Sequence, residues 1–219
     1  MYIHLNRQIL YYEKSGKGAP LLLLHGNGED HTIFDKLVPL LEQSYTVYAI
    51  DSRGHGESNP TDDFHYDGMA DDIAKLITAL ELERPILFGF SDGAIIGLLI
   101  AIQQPGLLSK LILAGANLNP KGMKWHIRRK IKKHYRKTGS LLDRMMLTEP
   151  NIAPAMLSTI STPVLVLAGS NDMITASHTK KIAASLPHAQ LQIISGEDHG
   201  SYIIHSSKAY QYIKGFLYQ

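Results

Sequence analysis

The sequence predicts an α/β fold with a mostly parallel central sheet flanked by helices. Apolar runs of strand length recur at residues 20–24, 110–116 and 163–168. Continuous apolar runs are expected for strands that are buried on both faces. Between such runs lie segments with apolar residues at helical spacing, and this alternation is typical of a parallel sheet covered by helices on both sides. Polar, glycine-rich loops follow several of the predicted strands. They lie at the carboxyl ends of the strands, which is the edge where ligands bind in such sheets.

The predicted elements can be placed in chain order from these patterns. The first part of the chain is predicted to contain strands at 2–5 and 8–13 around a hairpin at Asn6 and Arg7, a turn at 15–19, a strand at 20–24, a loop at 25–28, a helix at about 31–42 and a strand at 45–50. The second part is predicted to contain a helix at 66–82, a strand at 85–90, a helix at 92–103, strands at 110–116, 163–168 and 191–194, and a helix at about 201–217.

Length and composition favour one domain over residues 1–219. The chain has 219 residues, 44% of them hydrophobic, which is enough for a sizeable core. It has no Cys, which excludes disulfides, a thiol nucleophile and cysteine metal sites. The N-terminus lacks a basic segment followed by an apolar stretch, and no apolar run approaches the ~20 residues of a membrane span. We therefore expect a soluble, cytoplasmic protein.

One insertion, at residues 117–158, interrupts the alternation between two strands and is expected to form a short helical lid over the strand ends. It is mainly helical in pattern and contains Pro120, Pro150 and Pro154. Residues 121–137 within it hold nine Lys and Arg residues and no acid, whereas the net charge of the whole chain is only +2. The rest of the chain is therefore acidic, and the insertion carries a concentrated positive charge.

The segment Gly89-Phe90-Ser91-Asp92-Gly93 joins a predicted strand to a predicted helix. This is the G-x-S-x-G pattern in the strand–turn–helix context that gives it meaning, because the sharp turn exposes the serine hydroxyl. Glycines two residues before and after the serine avoid the clash that a β-carbon would cause. The five-residue pattern alone occurs by chance, so the flanking apolar segments carry the interpretation. Ser91 is the candidate nucleophile.

A serine nucleophile needs a base and an acid that orients it. Among the eleven histidines, His199 follows the last predicted strand and comes after the serine in the order Ser…Asp…His. Asp172 follows a buried strand and precedes a helix expected to begin near Thr175, so its carboxylate is free for the same edge of the sheet. Asp198 is adjacent to His199, and neighbouring loop residues rarely direct their side chains at each other. We expect a triad of Ser91, His199 and Asp172.

The oxyanion of an acyl-transfer reaction needs two N–H donors. The backbone N–H of Asp92 and that of Asn27, in the glycine-rich loop at 25–28, are the candidates. A carboxylate at position 92 suits the start of a helix, but its side chain is expected to point away from the developing negative charge. A phosphate-binding role for the loop is weaker, because the spacing matches neither nucleotide-binding fingerprint.

With these features the chain resembles the α/β-hydrolase superfamily over nearly its whole length. The motifs that carry the resemblance are His25-Gly26, Asp51-Ser52-Arg53-Gly54-His55-Gly56-Glu57-Ser58, the serine turn, Gly169-Ser170-Asn171-Asp172 and Gly196-Glu197-Asp198-His199. The loop at 51–58 is similar to that of small-lid carboxylesterases, enol-lactone hydrolases and C–C hydrolases. The resemblance implies hydrolysis of a carboxylic ester or thioester through an acyl-enzyme on Ser91. It implies no metal or organic cofactor, and Ser rather than Asp at position 91 argues against haloalkane dehalogenation.

The insertion has two interpretations. The plain one is an amphipathic lid helix with its apolar side on the pocket and its charges in water. The sharper one is a docking surface for an anionic carrier, such as an acyl-CoA or an acidic carrier protein. A nucleic acid is disfavoured because the acidic body supplies no extended basic groove. Candidate pocket residues are His25, Gly26, Trp125 and Met146.

Two other functions remain open at the level of sequence. The same fold and triad support C–C bond hydrolysis, perhydrolysis or lyase chemistry. A ligand-binding protein with a vestigial triad would have the same motifs. The physiological substrate, its acyl length and the oligomeric state are not encoded in any motif.

Overall fold

The computed structural model describes residues 1–6 and 8–219, so Arg7 of the predicted hairpin lies outside the described residues. Eight strands form its centre. They are β1 (Tyr2–Leu5), β2 (Gln8–Gly16), β3 (Ala19–Leu24), β4 (Tyr45–Ile50), β5 (Ile86–Phe90), β6 (Lys110–Ala114), β7 (Val164–Gly169) and β8 (Ala189–Ile194). They pair into one sheet in the order β1-β2-β4-β3-β5-β6-β7-β8.

The sheet is mostly parallel. β1 pairs with β2 and β2 with β4 in antiparallel fashion. All other neighbours, from β4 through β3, β5, β6 and β7 to β8, are parallel. The predicted fold class is therefore confirmed, and the carboxyl ends of β3, β5, β6, β7 and β8 lie along one edge of the sheet.

Helices cover both faces of this sheet. They are α1 (Val38–Leu41), α2 (Tyr66–Ala79), α3 (Asp92–Gln103), α4 (Trp125–Thr138), α5 (Leu141–Thr148), α6 (Pro154–Leu157), α7 (Ala176–Ser185) and α8 (Lys208–Leu217). Alternate residues of β3 point to opposite faces. Leu22 and Leu24 pack in the core layer of α2, α3 and α7, whereas Leu21 and Leu23 pack in the layer of α1 and α8.

Three helices differ from the sequence prediction, of which α2 only ends earlier, at Ala79 rather than at residue 82. The predicted helix at 31–42 is a short 3₁₀ helix, His31–Phe34, followed by α1. Asp30 caps the 3₁₀ helix through its side chain, and a turn separates the two pieces. At the C-terminus, α8 begins at Lys208 rather than near 201, because turns occupy residues 201–205 and His205 takes a left-handed φ of 48°.

Helices α4, α5 and α6 lie within the insertion at 117–158. In the part of the chain that the structure describes, none of the helices has the length and apolar character needed to span a bilayer.

Candidate active site

The turn between β5 and α3 holds Ser91 in a strained conformation. Its φ is 52° and its ψ is −111°, outside the regions that non-glycine residues normally adopt. A β-carbon on Gly89 would lie 2.2 Å from the carbonyl oxygen of Gly93. Only glycine therefore fits at position 89, and the close approach of strand and helix leaves the Ser91 side chain at the strand-end edge of the sheet.

The structure brings the three sequence-predicted polar residues together. Ser91 Oγ lies 3.0 Å from His199 Nε2, and His199 Nδ1 lies 2.7 Å from Asp172 Oδ1. Asp172 is 3% exposed, which keeps the carboxylate out of bulk water. Its Oδ1 also accepts the backbone N–H of Ile174 at 2.8 Å, so the carboxylate is fixed by its own turn before α7 begins.

The loop after β8 sets the direction of the His199 ring. Asp198 Oδ1 accepts the backbone N–H groups of Gly200 and Ser201, at 3.0 and 2.9 Å, so the Asp198 side chain is tied to its own loop. Gly115, which follows β6 with a φ of 68°, makes room for the ring. A β-carbon there would lie 2.5 Å from His199 Cε1.

Two backbone N–H groups near Ser91 are free. Within residues 1–6 and 8–219, neither the N–H of Asn27 nor that of Asp92 has a hydrogen-bond acceptor. Asp92 N–H is the first of α3, where helical N–H groups have no partner within the helix. The pair is thus available to an anion at the helix start.

The side chain of Asp92 is buried and engaged away from these N–H groups. Its Oδ1 accepts the Tyr66 hydroxyl at 2.7 Å and its Oδ2 accepts Asn27 Nδ2 at 2.9 Å. Burial raises the pKa of the Asp92 carboxyl, and the two hydrogen bonds act in the opposite direction. The carboxylate therefore ties together the loop after β3, the start of α2 and the start of α3.

A cavity of about 140 Å³ opens beside Ser91 and His199. Of the predicted pocket residues, Gly26 and Met146 line it, together with Asn27. His25 does not, because its ring is buried and its Nε2 accepts the backbone N–H of Ser52 at 3.0 Å. Trp125 does not line it either, because it begins α4 with 70% of its surface exposed to solvent.

Three further residues line this cavity that the sequence analysis did not single out: Glu29, Phe90 and Met173. Phe90 belongs to the serine motif itself, and its ring centroid lies 5.1 Å from that of His199. Glu29 Oε2 accepts the N–H of Gly26 at 2.9 Å. Burial raises the pKa of the Glu29 carboxyl, while this hydrogen bond and the neighbouring His199 lower it. Its place three residues after Gly26 in a tight loop is the only signal the sequence offers.

One group of described residues could bring ligand atoms to a metal ion. Atoms of Asp30, His31 and Asp51 lie within 4.8 Å of one another. These atoms already have partners. Asp30 caps the 3₁₀ helix, and Asp51 Oδ1 accepts the backbone N–H of His31 and lies 2.8 Å from Nδ1 of the same residue. The cluster is accounted for by the packing of this loop.

Curated relatives match about half of the chain. This chain is 38% identical over 115 residues to the human protein named serine hydrolase BPHL, and the match covers 49% of this chain and 40% of that protein. It is 37% identical over 108 residues to karrikin insensitive 2 receptor B of Petunia hybrida, covering 47% of this chain and 40% of that protein. The matched segments thus span well under half the length of these relatives.

The similarity in structure extends over the whole chain. The enol-lactonase from Burkholderia xenovorans LB400 superposes with a TM-score of 0.84 and covers 100% of both chains, and at 17% identity this likeness concerns the fold alone. A family model described as alpha/beta hydrolase fold matches residues 19–135, more than half of the sequence. The chain therefore belongs to the alpha/beta hydrolase fold family.

Proposed function

We propose that the protein is a serine hydrolase that cleaves carboxylic esters or thioesters through an acyl-enzyme on Ser91. The observation that carries the proposal is the hydrogen-bonded chain from Ser91 through His199 to the buried Asp172, with distances of 3.0 and 2.7 Å. This arrangement is the one that converts a weak serine hydroxyl into a nucleophile. Relatives named as hydrolases support the same conclusion.

In the first half-reaction, Ser91 Oγ attacks the carbonyl carbon while its proton passes to His199 Nε2. The carbonyl oxygen becomes an oxyanion that accepts the N–H groups of Asn27 and Asp92. Asp172 holds the ring through Nδ1 and stabilises the imidazolium. When the intermediate collapses, the bond to the leaving group breaks, and His199 gives its proton to the departing oxygen or sulfur.

In the second half-reaction, His199 takes a proton from water, and the resulting hydroxide attacks the acyl carbon. The tetrahedral intermediate forms again in the same oxyanion site. Its collapse breaks the ester bond to Ser91, returns the proton to Oγ and releases the carboxylic acid. The cycle needs no group beyond these residues and water.

The size of the cavity favours a short acyl group. Its volume of about 140 Å³ is smaller than the ~300–1,000 Å³ usual for drug-sized ligands. Glu29 is the only carboxylate among the described residues that line it, and none of those residues is a Lys or Arg. We expect activity to decrease from butyrate to octanoate esters.

The test is hydrolysis of p-nitrophenyl acetate, butyrate and octanoate, with labelling by a fluorophosphonate probe. Ser91→Ala is expected to abolish labelling and to lower kcat by at least ~10⁴-fold. Ser158→Ala, which removes an exposed hydroxyl at the end of α6, is the matched control and should behave as the wild type. Labelling that persists in Ser91→Ala would contradict the proposal.

A second candidate is a ligand-binding protein in which the triad turns over slowly. The observation that favours it is the 37% identical relative named as a receptor. In that case Ser91 would still react with the fluorophosphonate probe. Release of p-nitrophenol from all three esters, however, would stop after about one equivalent per protein molecule. A continuing release would instead indicate an enzyme.

A further inference from the structure

A second cavity, of about 490 Å³, lies away from Ser91 between the start of α4 and the end of α5. It is bounded by the 3₁₀ turn Pro120–Gly122 and the loop at 151–153. Two cations, Lys121 and Arg128, and three neutral polar residues, Asn119, Thr148 and Asn151, contribute to its walls. Within the described part of the chain no carboxylate lines it, so we call it the cationic cleft.

Arg128 lines this cleft and is only half-buried as a residue. Its Nε is buried and has no hydrogen-bond partner among the described residues. A buried donor without an acceptor destabilises the folded chain, and more so when it is charged. The guanidinium has five N–H donors in all, and those that face the cleft are available to an acceptor supplied from outside the chain. Because the neighbouring ionisable side chain is Lys121, the expected acceptor is an anion.

Asp143 of α5 contacts His134 of α4, but none of the nine Lys and Arg residues at 121–137 forms an ion pair with a described carboxylate. Lys124, Arg128, Lys132 and Arg136 follow one another at intervals of four, which places them on one side of the helix. Cations near the start of a helix oppose its dipole, so Lys124 and Arg128 do not stabilise α4 by that route. A bound anion would offset both the unpaired positive charge and its unfavourable interaction with the helix dipole.

The chemistry of the cleft fits a diphosphate. A guanidinium presents a planar set of donors that matches phosphate oxygens, and an ammonium adds a second, mobile charge. Two cations match the charge of two linked phosphates better than they match that of a single carboxylate. The volume also leaves room for an organic group beside the phosphates.

The cleft and the catalytic cavity share a wall. Met146 of α5 lines the cavity beside Ser91, and the next two residues, Leu147 and Thr148, line the cleft. One helix, with a diameter of ~10 Å, therefore separates the two spaces. A flexible leaving group that extends from the thioester carbonyl around α5 could place its diphosphate in the cleft.

We propose that the cationic cleft binds the diphosphate of a coenzyme A leaving group, with Arg128 and Lys121 as its ligands. As an account of substrate choice this rests on the proposed function, but the binding itself does not depend on hydrolysis. An acidic carrier protein would instead spread its contacts over the whole length of α4.

The test is titration of the Ser91→Ala protein, which cannot turn over a substrate, with coenzyme A by isothermal titration calorimetry. Trp125, the only tryptophan of the chain and one turn from Arg128, supplies a second reading by fluorescence. Arg128→Gln and Lys121→Gln are each expected to weaken binding at least tenfold. Lys137→Gln removes the same charge from the far end of α4 and is expected to change Kd less than twofold.

Three results would overturn the inference. One is the absence of both heat and fluorescence change with coenzyme A. Another is weakening by Lys137→Gln equal to that by Arg128→Gln, which indicates a diffuse basic surface. The third is affinity for coenzyme A no greater than for inorganic phosphate. Circular dichroism checks the fold of each variant, and Lys121→Gln, an exposed side chain, carries the test if Arg128→Gln does not fold.

Discussion

At the scale of single residues, Glu29 gives the cavity beside Ser91 a chemical preference. Its carboxylate lies in the wall of that cavity and is held by the N–H of Gly26 at 2.9 Å. A carboxylate there repels an acyl group that bears its own negative charge, and the repulsion is stronger in a partly enclosed space than in water. We therefore expect this residue to favour neutral acyl groups over anionic ones.

We predict that Glu29→Gln raises the ratio of kcat/KM for monomethyl succinate to kcat/KM for methyl butyrate about tenfold. This corresponds to a change of about 1.4 kcal/mol in the difference between the two activation free energies. The two esters have the same chain length and differ in one terminal carboxylate. Glutamine keeps an oxygen that can accept the Gly26 N–H, so the change removes charge and leaves the loop held. Acid release in a pH-stat at pH 8 measures both rates.

Glu83→Gln is the matched control for this ratio, because it removes an exposed carboxylate from the loop before β5. A ratio that stays unchanged in Glu29→Gln, or that rises equally in Glu83→Gln, would show that Glu29 does not select by charge. Both variants are compared by ratio, so a general change in activity does not affect the result.

The three residues of the proposed triad could be predicted from the sequence, whereas other residues of the cavity could not. Ser91, Asp172 and His199 are separated by 81 and 27 positions in the sequence, yet each follows a strand and has a recognisable loop, so their meeting was expected. Glu29 and Met173 reach the cavity through the path of their loops, and no spacing rule encodes that path. Trp125 was misplaced because an apolar side chain on an amphipathic helix can face either a pocket or solvent.

At the scale of secondary-structure elements, the buried carboxylate of Asp92 joins three segments. Tyr66 begins α2, Asp92 begins α3, and Asn27 lies in the loop after β3. The N–H groups of Asn27 and Asp92 are the proposed oxyanion donors, so the same side chains that bond each other fix the spacing of those donors. Helix packing and the proposed oxyanion site are thereby coupled.

We predict that Tyr66→Phe lowers the free energy of unfolding by about 1–3 kcal/mol, since it removes a donor from a buried carboxylate. Urea denaturation followed by circular dichroism gives the value. Tyr11→Phe removes a hydroxyl from an exposed pair with Glu13, 3.3 Å apart, and should change the stability by less than about 0.5 kcal/mol. Equal effects of the two variants would mean that Asp92 does not depend on this hydrogen bond.

Element boundaries were predictable where burial is uniform. β4 and α3 lie at the predicted residues, because continuous apolar sequence and a glycine-bounded turn define them. β8 begins two residues before its predicted start, since it is an edge strand with exposed residues and lacks an apolar run. The helix predicted at 31–42 is divided because Pro39 would lack an N–H and clash with the preceding turn inside a continuous helix, whereas it fits the first turn of α1.

At the scale of the whole molecule, a buried imidazole links stability to pH. His25 is 1% exposed, next to the strand-end edge, and burial lowers its pKa to about 4. Its Nε2 must be unprotonated to accept the N–H of Ser52 at 3.0 Å. The ring of His55 lies 5.1 Å away, centroid to centroid, and a charge there would disfavour a second proton on His25.

In the unfolded chain His25 regains an ordinary pKa near 6.5. Below that pH the unfolded state binds a proton that the folded state does not bind until the pH approaches 4. Stability therefore falls as the pH falls through this interval. Between pH 7 and pH 5 this one group is predicted to remove about 2 kcal/mol from the free energy of unfolding. Urea denaturation at several pH values measures the slope of the unfolding free energy against pH.

His25→Gln, which cannot titrate, should lose the part of this slope that His25 contributes, whatever its stability at pH 7. His188→Gln, a substitution on the surface before β8, should retain the wild-type slope. An unchanged slope in His25→Gln would mean that other groups dominate the acid sensitivity of the fold.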